Sequence, residues 1–86
     1  MPTLLVTYEL MSKEMDYSTF RWMLRSYPSS KVTDSTIILQ STESPLEFFD
    51  GIWPWVDQHD TVFITELDRG WTGICSNEIK EWLKEH

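Results

Sequence analysis

The sequence predicts an α+β domain: a four-stranded antiparallel sheet with two helices on one face, then a short C-terminal strand and a helix. Three observations predict it. Segments 3–10, 36–40 and 61–67 are short apolar runs or alternations of period two, the pattern of strands. The stretches between them, near 18–27 and 44–53, repeat apolar residues at helical spacing. And 86 residues suffice for one domain, 1–86, with a core small enough that dimerisation is a common source of added stability.

Each element has a local reason. In strand 3–10, Leu4, Val6, Tyr8 and Leu10 take one face and Leu5, Thr7 and Glu9 the other. Residues 11–16 are polar and read as a loop. Asp16 or Ser18 can cap a helix reaching about Tyr27, with Phe20, Met23, Leu24 and Tyr27 on its buried side. Arg21 and Arg25 lie one turn apart on its wet side. Pro28-Ser29-Ser30 ends it. Residues 31–33 form a short strand, Asp34-Ser35 a turn, and 36–40 a firmer strand. Ser44-Pro45-x-Glu47 is a capping box with Pro at the first helical position. Leu46, Phe49 and either Ile52 or Trp53 are expected to face inward, with Gly51 and Pro54 shortening or kinking this helix. His59-Asp60 closes the turn into strand 61–67. Asp68-Arg69-Gly70 is a turn, 71–75 a short extra strand, and Ser76 the cap of a helix over 77–85. Ile79, Trp82 and Leu83 form that helix's apolar face, with Lys80 and Lys84 outward; Glu78 in its first turn and Lys84 in its last suit the helix dipole. The order β-α-β-β-α-β is that of a ferredoxin-like sandwich. Its second sheet face would be bare, and a second subunit could cover it.

Charge and cysteine usage narrow the function. Fourteen acidic and seven basic residues give a net charge of -7. Nucleic-acid binders gain affinity by releasing phosphate counterions with Lys and Arg, so this balance disfavours a DNA backbone as partner. It suits a solvated surface, or an acidic face that docks on a basic protein. Cys75 is the lone cysteine, which excludes an intrachain disulfide, and His59 and His86 are isolated, so no zinc spacing exists. No apolar run is long enough for a membrane span, and the N-terminus reads as a strand rather than a signal peptide. A cytoplasmic protein is expected.

Three local sequences carry a resemblance. Leu5-Val6-Thr7-Tyr8-Glu9-Leu10 is similar to an apolar strand ending in Tyr-Asp-Leu. Asp34-Ser35-Thr36-Ile37-Ile38-Leu39 is similar to an Asp-Ser-Thr strand start. Trp71-Thr72-Gly73 is followed by Glu81-Trp82-Leu83-Lys84. Together, and with similar spacing over almost the whole chain, they resemble the SinR-like proteins, small relatives of the CRISPR-associated Cas-two family. The resemblance implies a ferredoxin-like protomer in a twofold dimer that pairs through sheet faces and C-terminal strands, with 71–75 near the partner chain. Some members of that family are described as metal-dependent nucleases whose ligand is the Asp ending the first strand, one from each subunit; others are DNA-binding scaffolds. This chain has Glu9 at that position. The longer side chain displaces the carboxylate by one methylene, which octahedral Mg²⁺ tolerates poorly.

The candidate residues each have a plain and a functional reading. Glu9 is a solvated strand-end carboxylate, or a catalytic and metal residue if two copies share a divalent ion. Asp60, Glu66 and Asp68 could join it if Glu66 shares its face. Ser35 and Thr36 read as turn residues or phosphate contacts. Cys75 reads as a small buried thiol, with no nucleophile pairing to His59. Arg21, Arg25 and Lys31 are the one basic cluster, a wet helix face or a contact for phosphates or an acidic partner. Five Trp exceed what so small a core can hold. Trp22 falls off the apolar side of its helix, and Trp53 and Trp55 straddle Pro54, so Trp22, Trp55 and Trp71 are expected to bind a protein partner along with Arg21 and Arg25. The reading that follows is a non-catalytic, dimeric interaction or regulatory protein without cofactor, with an acidic inhibitor or scaffold for a nucleic-acid-handling system as its specific form. The alternative is a Mg²⁺-dependent nuclease using Glu9 from both subunits.

Overall fold

The computed structural model describes residues 2–68 and 70–85. The elements run β1 (Thr3–Glu9), α1 (Ser18–Arg25), β2 (Ser29–Thr33), β3 (Thr36–Gln40), α2 (Pro45–Ile52), a 3-10 turn (Trp53–Trp55), β4 (Thr61–Leu67) and α3 (Asn77–Glu85). The strands form one sheet in the order β2-β3-β1-β4, every neighbour antiparallel. The fold is α+β, as the sequence predicts.

Alternation along β1 builds the main core. Leu4 and Val6 stand opposite Leu39 and Ile37 in the register, so all four point to one face. Phe20 and Leu24 of α1 and Phe48 and Ile52 of α2 cover them, and these eight residues are buried together. Tyr8 meets Phe20 edge to face, ring centroids 5.2 Å apart.

The opposite face is not bare. Thr3, Ser30 and Ile38 point that way and are buried. α3 packs against β2 through a buried Ile79, which places it over the β2 and β3 side of that face. The β1 and β4 side stays open, with Phe63 63% exposed. The expected need for a second subunit therefore narrows to half of one sheet face. No strand forms at 71–75; that stretch is the connection into α3. β4 is one edge of the sheet and α3 touches β2 at the other. The two edges lie three strand spacings, about 14 Å, apart, and the connection that bridges them adds no strand to the sheet. The predicted turn at 68–70 includes Arg69, which lies outside the described residues, as does His86.

Smaller corrections have local causes. Tyr17, not Asp16 or Ser18, is the N-cap of α1, and its side chain makes no cap bond. Asp16 instead accepts a hydrogen bond from the Ser18 N–H at 2.9 Å. α1 stops at Arg25, where Ser26 Oγ donates to the Met23 carbonyl at 2.6 Å and Pro28 follows. β2 starts at Ser29 because the apolar β3 offers Leu39 and Ile38 as partners for Ser29 and Ser30. In α2 the buried side is Phe48 and Ile52, while Leu46, Phe49 and Trp53 are exposed.

The capping box forms as expected. Ser44 Oγ accepts from the Glu47 N–H at 3.2 Å, and Glu47 Oε1 accepts from the Ser44 N–H at 3.0 Å. The backbone N–H of Ser44, then its hydroxyl, holds the Glu47 carboxyl below its ordinary range. Ser44→Ala is expected to lower stability by about 1 kcal/mol, read as a shift of the urea midpoint at constant slope. The cap's ionic part is present above the ordinary carboxylate range and fades as pH falls through the lowered Glu47 value.

Candidate functional site

The ends of β1 and of the β2–β3 hairpin meet the exposed side of α1. Tyr8 N–H donates to the Ser35 carbonyl at 2.9 Å, and the hydroxyls of Thr7 and Thr36 lie 3.0 Å apart. These bonds fix the Asp34-Ser35 turn beside Glu9. Glu9 is exposed, opposite Thr61 in the register. It borders a depression of about 470 Å³ that Tyr8, Arg21, Asp34, Ser35 and Thr61 also line. A second depression of about 460 Å³ shares Tyr8, Arg21 and Asp34 and adds Arg25 and Lys31. The structure thus gathers the whole predicted basic cluster, with Glu9 and Ser35, along one groove.

Helical spacing explains the groove's charge. Arg21 and Arg25 project from one stripe of α1. The Arg21 guanidinium lies 6.0 Å from the centroid of the Tyr17 ring, a cation–π distance. Lys31 Nζ is 3.2 Å from Asp34 Oδ1, both well exposed, so this pair adds about 0–1 kcal/mol and leaves the ammonium available. Three of the chain's seven basic residues stand here on a molecule of net charge -7. Two guanidinium forks and an ammonium suit a carboxylate or phosphate of a partner.

A divalent ion fits the same place poorly. Glu9 and Asp34 offer oxygen, the right donor for Mg²⁺, but Arg21 lines the same depression and its fixed charge opposes a cation. Glu66 does not help. It stands opposite Leu4 and points to the helix-covered face, whereas Glu9 points to the other face, five residue steps along the strand. Asp60 is engaged elsewhere: it accepts from the N–H groups of Met11 and Asp57 and from the Tyr17 hydroxyl. Asp68 directly follows β4. Among the described residues no group of three or more His, Cys, Asp or Glu side chains could hold a metal ion.

The remaining candidates are dispersed. Trp22 on α1, Trp55 in the 3-10 turn and Trp71 in the connection to α3 are all exposed, and they sit on three separate elements. Trp53 is exposed and Trp82 half-buried. His59 Nδ1 lies 3.0 Å from Asp57 Oδ1 within its own turn, and Cys75 is half-buried before α3. Among the described residues no helix is long and apolar enough to cross a membrane.

Sequence reasoning misses one surface. Leu46, Phe49 and Phe63, with Pro45, Val62 and Ile64, line an apolar groove of about 320 Å³ between α2 and β4. It runs on into a smaller recess of about 250 Å³ bounded by Trp53 and Val56. A signal exists: α2 is apolar at 46, 48, 49 and 52, too broad for one buried stripe, so a second apolar side must face outward. No family model, curated protein or solved structure matches this chain.

Proposed function

We propose that this chain is a non-catalytic, homodimeric interaction protein on a ferredoxin-like, Cas-two-like fold, acting as an acidic inhibitor or scaffold in a nucleic-acid-handling system. The observation that carries the reading is the exposure of large apolar side chains. Trp22, Trp53, Trp55, Trp71, Leu46, Phe63 and Ile74 stand between 41% and 102% exposed, and Leu46 and Phe63 line one apolar groove, the contiguous kind of patch that marks an interaction site. Tryptophan is the residue most enriched at the energetic centres of protein interfaces. Support for the fold is the antiparallel order β2-β3-β1-β4, with helices after β1 and β3. Support for a protein partner is the charge, which repels a phosphate backbone over most of the surface. Arg21, Arg25 and Lys31 then contact carboxylates or phosphates at the rim.

Sedimentation equilibrium at micromolar concentration tests the dimer, expected at twice the 10.2 kDa chain. A monomer at every concentration overturns it. For the partner, purified complex is compared with Trp22→Ala, Trp55→Ala and Trp71→Ala; at least one is expected to raise Kd by about thirtyfold, the effect of an interface hot spot. Mg²⁺-dependent cleavage of DNA or RNA that disappears in Glu9→Gln would overturn the non-catalytic reading.

A further inference from the structure

Edge strands usually carry protection against pairing with other chains: charged side chains, a Pro, a bulge or a cover. β4 has one such device, the Glu66 charge near its C-terminal end, and none over 61–65. It is a sheet edge, its seven residues pair with β1 in unbroken register, and Glu66 is its one charge. Among the described residues no strand pairs with its outer side.

The free hydrogen-bonding groups of that edge can be assigned. Tyr8 N–H donates to the Ser35 carbonyl, and Ser41 N–H to the Pro2 carbonyl. Even-numbered residues of β1 therefore turn their backbone groups toward β3, and odd-numbered ones toward β4. Thr3, Leu5, Thr7 and Glu9 pair with Leu67, Thr65, Phe63 and Thr61. The backbone groups of Val62, Ile64 and Glu66 consequently point outward, three donors and three acceptors. Beside that edge lies the apolar groove of Leu46 and Phe49.

We propose that a second copy of this chain binds here, β4 against β4, antiparallel across a twofold axis through Ile64. The inference rests on the dimer reading above and names its surface. Opposed residues of an antiparallel pair share a face, so the axis must pass through a residue, and only the central Ile64 overlaps all of 61–67. Ile64 then meets Ile64 of the partner subunit, Val62 meets the partner's Glu66, and Phe63 meets the partner's Thr65. The three outward residues become the hydrogen-bonded positions of the new ladder, and every free donor finds an acceptor. Charge is also compatible: the two Glu66 carboxylates lie four residue steps apart, about 14 Å, beyond the screening length of about 8 Å at physiological salt. Area suffices as well. Leu46, Phe49, Trp53 and Phe63 are 38% to 70% exposed. At about 150–250 Å² per large side chain they offer roughly 350–550 Å² per copy before the strand edge is counted. Two copies reach the roughly 1,000 Å² of a specific interface.

Two experiments on the full chain test the pairing. Glu66→Pro removes an outward N–H from an exposed position and no bond to β1, so the circular dichroism spectrum should persist while the dimer weakens at least tenfold in sedimentation. In a Cys75→Ser background, Phe63→Cys chains mixed with Thr65→Cys chains should form a disulfide dimer under oxidation, since such opposed positions lie about 4.5 Å apart at Cα. Neither variant alone should cross-link to a comparable extent. A dimer that is unaffected by Glu66→Pro and gives no mixed cross-link overturns this pairing and leaves the dimer reading standing. Cross-linking of Phe63→Cys to Ile74→Cys instead would assign the edge to the partner's C-terminal connection and also overturn it. A monomeric wild-type chain overturns both readings.

Discussion

Phe48→Ala is expected to cost about 3–5 kcal/mol of folding stability, while Leu46→Ala two residues away stays within about 0.5 kcal/mol, both compared in a Glu66→Pro background that lacks the dimer. Phe48 is 1% exposed, packs in the main core, and its ring lies 5.3 Å from that of Tyr27. Truncation removes its buried area and leaves a cavity between α2 and the sheet that neighbours only partly fill. Leu46 is 70% exposed and loses little. In a domain this small each kcal/mol moves Tm by about 4–8 °C, so Phe48→Ala should melt more than about 12 °C lower by calorimetry. Comparable losses for both variants would mean that α2 turns its other side to the sheet.

Asp60→Ala is expected to cost about 3 kcal/mol, because one carboxylate closes three separate segments. Its oxygens accept from the Met11 N–H at 2.7 Å, the Asp57 N–H at 2.7 Å and the Tyr17 hydroxyl at 2.8 Å. The loop after β1, the start of α1 and the turn before β4 therefore share one anchor. Burial alone would raise the Asp60 carboxyl, but these donors outweigh it and hold the group below its ordinary value. The Tyr17 hydroxyl is pushed the other way, first by burial and then by Asp60. A depressed carboxyl stabilises the fold fully above its unfolded value of about 3.9, and that contribution is lost as pH falls through the folded value. Wild type should lose stability on acidification below about pH 4, and Asp60→Ala should lose less over the same range. Equal acid sensitivity of the two, measured by urea titration at each pH, would sink this account.

Much of the fold was legible in the sequence because its causes are local. The strands at 36–40 and 61–67 and the helix at 77–85 match their predicted limits, since alternation and Ser76 act within a few residues. Ser76 Oγ accepts from the Ile79 N–H at 3.3 Å, and the Ser44 box closes in the same way. The buried Phe20 and Leu24 were legible for the same reason. The groove of Arg21, Arg25 and Lys31 was legible as a cluster in sequence, but not its meeting with Glu9 and Ser35, which depends on β1 ending beside the hairpin turn.

The sequence by itself determined the strands at 36–40 and 61–67, the helix at 77–85, the net acidic charge, and that five Trp could not all be interior. Only the tertiary structure decided which side of α2 is inside, that Glu66 and Glu9 point to opposite faces, that 71–75 forms no strand, and that β4 is left as an open edge. The physical reason is range. Periodicity and capping are settled by bonds between near neighbours in the chain, whereas strand order and register depend on which apolar faces meet across 30 or more residues, and a shift of one position there exchanges buried for exposed.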